Sequence, residues 1–106
     1  MAKYLIAASY TAEGAKGLLK DGGTKRRQAA EQAIKSAGGK LEAFYFAFGE
    51  NDAYVIVDAP DHATIAAASV AINASGAVHS KTVVLLTAEE IDQATKKNVA
   101  YRAPGH

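Results

Sequence analysis

Gly49-Glu50-Asn51-Asp52-Ala53-Tyr54-Val55-Ile56-Val57-Asp58-Ala59-Pro60-Asp61 is the stretch that decides how the rest of the chain is read. Gly49 to Asp52 are turn formers, and Asn51 tolerates positive φ at low cost. Ala53 to Ala59 has the β-branched and aromatic content of a strand. Pro60 suits a strand end and Asp61 is a good helix N-cap, so a helix is expected from His62. Immediately upstream, Lys40 to Phe48 is a second strand-like run rich in aromatic residues. The turn between the two runs makes them an antiparallel hairpin.

Working outward, Lys3 to Tyr10 is an apolar run of strand length with little polar alternation. Thr11 can cap a helix beginning at Ala12, which Gly22-Gly23 should break. A second helix from Lys25 to Ala37 places Ala29, Ala30, Ala33, Ile34 and Ala37 on one stripe, short enough for close approach to a sheet. Gly38 or Gly39 ends it in a left-handed conformation. On the other side, His62 to Ser75 is an Ala-rich helix stopped by Gly76, and Val78 to Thr87 is a fourth strand. Thr87 and Glu90 form a capping box for a short last helix through about Lys97, and residues 98–106 are expected to be a flexible tail. The order is β-α-β-β-α-β with a C-terminal helix. That is an α+β, ferredoxin-like pattern: a four-stranded antiparallel sheet with helices on one face, spanning 1–106 as one domain.

The totals agree with a small folded domain. A 106-residue chain buries roughly 60–70% of its unfolded surface. An apolar fraction of 49% with 22% charged residues is ordinary for a globular protein. A net charge of +1 gives no footprint for nucleic acid. The sequence has no cysteine, which excludes thiol chemistry and fits a reducing cytoplasm. The apolar run at the N-terminus is too short for a signal peptide, and nothing approaches the roughly 20 apolar residues of a membrane span. His62, His79 and His106 lack metal-ligand spacing, and no cofactor motif is present; Gly22-Gly23-Thr24-Lys25 does not have the phosphate-loop spacing.

Strand parity sorts the candidate site residues. Counting even positions together puts Tyr4 and Tyr10 with Glu42, Phe44, Phe46 and Phe48, and with Tyr54, Ile56 and Asp58. The small odd set suits Ala-rich helices. His79 and Lys81 join the aromatic set, because a helix-covered face offers no partner for a charge. A sheet face so apolar favours a homodimer, sheet against sheet, which would enclose a partly polar cavity lined by Tyr10, Glu42, Phe44, Phe46, Tyr54, Asp58 and Lys81. His79 is the candidate general base, its alternative being a strand-edge histidine bonded to backbone or water. Lys81 could hold an anionic group or pair with Glu42 or Asp58. Lys25-Arg26-Arg27 at a helix start opposes the helix dipole, so either an anion or solvent must offset it.

The segments Tyr10–Gly14, Ala37–Gly39, Gly49–Asp61 and Ser75–Thr82, in this order and spacing, resemble the GYD domain family. Gly49 and Asp52 match its central turn, whereas Asn51 stands where Tyr is usual. The resemblance implies a ferredoxin-like domain grouped with dimeric α/β-barrel proteins, and implies no particular activity. Three functions are therefore carried forward. The first is a homo-oligomeric small-molecule-binding domain with its site between the sheet and the partner's. The second is a cofactor-independent enzyme, monooxygenase-, lyase- or isomerase-like, acting on a small aromatic or carbonyl compound. The third is a purely structural oligomerisation domain.

Overall fold

The computed structural model describes residues 2–106. Its elements in chain order are β1 (Ala2–Tyr10), α1 (Ala12–Asp21), α2 (Gly23–Ser36), β2 (Lys40–Phe46), β3 (Ala53–Ala59), α3 (His62–Ala74), β4 (Val78–Leu85) and α4 (Ala88–Thr95). The strands form one antiparallel sheet in the order β2-β3-β1-β4, which is the ferredoxin-like arrangement. Helix ends obey the local chemistry. Thr11, Asp61 and Thr87 cap α1, α3 and α4 through their side chains, and Thr87 with Glu90 completes the capping box. Gly38 takes φ 101° after α2 and Gly76 takes φ 76° after α3, where a β-carbon would be strained.

The hairpin is longer at its tip than its sequence suggests. β2 ends at Phe46 rather than Phe48, and Ala47 to Asp52 make the connection. The Ala47 amide donates to the Asp52 carbonyl at 2.8 Å, the Asp52 amide donates to Ala8, and the Asp52 carboxylate accepts from the Tyr10 amide at 2.8 Å. The turn is thus bound to the end of β1. Asn51 does not use a positive φ; no non-glycine residue among those described does.

The expected face assignment is corrected for two strands. β1 pairs with β3 so that Lys3 lies opposite Asp58 and Tyr4 opposite Val57. Even positions of β1 therefore share a face with odd positions of β3, and Tyr4, Ile6 and Ala8 point to the helices. In β2, Leu41 faces Val57 but Ala43 faces Ile56, so Glu42 is an extra residue at a bulge. Beyond the bulge the faces are inverted: Phe44 and Phe46 turn to the helices, while Tyr45 turns away with Tyr54. A one-residue slip moves every later side chain across the sheet.

The core lies between the sheet and α2 and α3. Its larger cluster joins Tyr4, Ile6, Val55, Val57 and Leu41 to Ile34, Ile65 and Ala68. Tyr4 is only 1% exposed, and its hydroxyl meets Nδ1 of His62 at 2.6 Å, at the start of α3. A smaller cluster of Ala8, Ala53 and Val78 lies toward the other end of these strands. α4 has no buried residue, and Ile91, Val99 and Tyr101 are exposed.

Candidate functional site

Between the two core clusters the helix layer does not close on the sheet. Ile34 of α2 and Ile65 of α3 fill one end of the interlayer space. Toward the start of α2 the facing residues are Arg26 and the short Ala29, Ala30 and Ala33. Instead of the close approach expected of that stripe, a cavity of about 340 Å³ remains. Its floor is Ile6, Ala8, Phe44, Ala53, Val55 and Val78, and its walls include Ile72, Ala77 and Tyr10. That volume lies at the small end of the roughly 300–1,000 Å³ of small-molecule sites. The short alanine side chains do not fill the space that larger core residues would occupy.

The polar groups in the lining are few. Ser75 Oγ donates to the Ile72 carbonyl and accepts from the Ala77 amide, and Ser80 Oγ accepts from Asn73 Nδ2 at 3.0 Å. Both hydroxyls therefore already serve the α3–β4 connection. Arg26 reaches the cavity from the first turns of α2 and is the one charged lining residue among those described. No described carboxylate lines it.

The uncovered face of the sheet reads as rows. Ser9 lies opposite His79; Ala7 lies opposite both Tyr54 and Lys81, with Tyr45 beyond Tyr54; Leu5 lies opposite Ile56 and Val83. At the end of the face, Lys3 Nζ donates to Glu42 at 2.8 Å and to Asp58 at 3.0 Å. These bonds, first to Glu42 and then to Asp58, raise the Lys3 pKa above its ordinary 10.5. Lys81 is thus not the partner of either carboxylate. Lys3 is, and its position opposite Asp58 was legible only with the β1–β3 register known.

Of the expected site residues, the structure brings Tyr10 and Phe44 together on the cavity. Phe46 packs edge-on against Phe44, ring centres 5.0 Å apart, and with Tyr10 lines a neighbouring cleft beside Gly23 and Phe48. Tyr54, Glu42, Asp58, His79 and Lys81 stay on the open face. His79 and Lys81 line a polar groove of about 320 Å³ with Ser9, Asn51 and Asn73. Asn51 accepts from Ser9 Oγ at 3.3 Å and donates to the Tyr54 hydroxyl at 3.2 Å, so in this chain it ties the turn to the sheet. The His79 side chain has no hydrogen bond among the described residues that would orient it as a base. Sequence reasoning missed the cavity residues Ala29, Ala33 and Arg26 as a set. The small-residue stripe was visible, but the spacing of the layers was not.

No cluster of three or more His, Asp or Glu side chains suited to a metal occurs among the described residues, and no described helix is long and apolar enough to cross a membrane. A family model, GYD domain, matches residues 4–95. No curated protein and no solved structure matches the chain.

Proposed function

The chain belongs to the GYD domain family, and on that premise we propose that it is a homo-oligomeric small-molecule-binding domain whose ligand enters the cavity between the sheet and helices α2 and α3. The observation that carries this reading is the cavity itself: about 340 Å³ of apolar space inside the layer that should hold the core. The pocket opens to solvent, so its apolar lining is left in water, and a ligand that fills it removes that surface from water and adds contacts. The two serines already have partners, so apart from Arg26 and Tyr10 the lining is largely apolar. The setting we propose is cytoplasmic, which the cysteine-free sequence fits.

The occupant proposed for the open face is a second copy of this chain. Leu5, Ile56 and Val83 form an apolar row between the Lys3–Glu42–Asp58 cluster and the row of Tyr45, Tyr54, Ala7 and Lys81 that borders the His79 groove, the anatomy of an interface with a polar rim. Val83 is 48% and Tyr45 70% exposed without such a partner. The second reading, an enzyme with His79 as base and Lys81 or Tyr54 stabilising negative charge, is favoured by the polar groove alone. It requires the partner copy to close that groove.

A thermal-shift screen of small apolar compounds separates these readings. Compounds bound in the cavity raise the melting temperature of the wild type and of His79→Ala, and fail on Ala33→Leu, whose larger side chain occupies the space. Compounds that act on Ala33→Leu but fail on His79→Ala would place the ligand in the groove and overturn the reading.

A further inference from the structure

Resting on the cavity reading above, we infer that the ligand is an apolar monoanion whose charged group is received by Arg26, a carboxylate on a short alkyl or aryl body being the chemistry that fits best. Arg26 is half-buried at the cavity wall. It has no ion-pair partner among the described residues, since the ion pairs found there are those of Lys3. Its neighbours add to the positive charge: Lys25 and Arg27 flank it, and the first turn of α2 contains no acidic residue. Three cations at a helix start oppose the helix dipole, and no carboxylate among the described residues pairs with them. With the Ser75 and Ser80 hydroxyls already bonded, Arg26 is the charged donor left to orient a ligand.

The two halves of the site select together. The Ala29–Ala33 wall and the Ile6–Val55 floor accept only an apolar body. The guanidinium presents a planar fork of donors that matches a carboxylate in two-point fashion. A cationic ligand would meet uncompensated repulsion, and a neutral amide would offer a single carbonyl acceptor without the opposite charge or the second oxygen of a carboxylate.

The test compares octanoate, octanamide and octylamine, and phenylacetate, phenylacetamide and phenethylamine, by calorimetric titration and thermal shift. Wild type, Arg26→Gln, Arg26→Lys and Ala33→Leu are used as full chains. Gln and Lys are both good helix formers, so the two Arg26 variants keep α2. The expected result is that the carboxylates bind wild type at least about tenfold more tightly than their amides, that the amines do not bind, and that Arg26→Gln abolishes the difference. Equal binding of carboxylate and amide to wild type would overturn the anion inference and leave the cavity reading standing. Retention of the preference in Arg26→Gln would take the role from Arg26. If no probe binds wild type, or if all bind Ala33→Leu equally well, the cavity reading falls and the inference with it.

Discussion

Two glycines three residues apart in α1 respond oppositely to the same substitution. A β-carbon on Gly14 would stand 2.0 Å from the Ala77 carbonyl oxygen and 3.2 Å from Cδ1 of Tyr10. The neighbour it strikes is backbone, so α1 must lift by on the order of 1 Å to reach even the closest contacts seen for real β-carbons. That movement breaks the Thr11 amide bond to Ala77, 3.0 Å, and the Thr11 hydroxyl bond to Gly76, 2.9 Å. Losing two bonds costs roughly 2 kcal/mol, and the misfit adds about 1–3 kcal/mol. Against these, alanine gains about 1 kcal/mol in helix propensity. The net loss for Gly14→Ala is about 2–4 kcal/mol, a fall of roughly 10 °C or more in melting temperature for a domain of this size. Gly17 has nothing within 4 Å of its β-carbon position. Gly17→Ala therefore gains about 0.5–1 kcal/mol and melts a few degrees higher. Calorimetry or circular-dichroism melts of both variants suffice. Shifts of the same sign at the two positions would refute the docking of α1 against the α3–β4 connection. Because Ala77 and Tyr10 are also cavity walls, Gly14→Ala should weaken ligand binding while Gly17→Ala leaves it unchanged.

Ile56→Asp places a charge at the centre of the open face without touching the cavity; if the proposed homo-oligomer forms through that face, the variant should be monomeric in light scattering where the wild type is not, and an unchanged mass would contradict that proposal. The Asp61 carboxylate is held below its ordinary pKa of 3.8, first by the bond it accepts from the Thr64 amide. A depressed folded-state pKa gives stability that is present above about pH 4 and lost as pH falls through the lower folded value. Asp61→Asn keeps a capping oxygen and loses that titration, so its acid-unfolding curve should be flatter below about pH 4; a curve parallel to the wild type would contradict the assignment. Tyr4→Phe removes the hydroxyl that meets His62 and should cost about 0.5–1.5 kcal/mol in denaturant unfolding, whereas a neutral result would mean that this contact contributes nothing.

The order of elements was legible because each boundary has local chemistry: Thr11, Asp61 and Thr87 as caps, Gly38 and Gly76 as stops, Gly49 to Asp52 as a turn. The faces of β3 and β4 were legible too, since Tyr54, Ile56 and Asp58, and His79 and Lys81, lie where alternation puts them. What alternation within a strand does not carry is the register between strands. The pairing of Lys3 with Asp58 and the bulge at Glu42 each cross the parity once, and that moved Tyr10, Phe44 and Phe46 to the helix side. The candidate site moved with them. A cavity depends on how the helices pack against the sheet as a whole, and no local pattern in the Ala29–Ala33 stripe records it.

Where the ligand sits decides between the cavity and the groove, and intermolecular nuclear Overhauser effects between bound octanoate and the protein read that position without intermediates. A ligand held between the sheet and α2 and α3 gives contacts from its alkyl chain to the methyl groups of Ala29, Ala33, Val55 and Ile72. Contacts to Tyr54, Val83 and the His79 ring instead would contradict it.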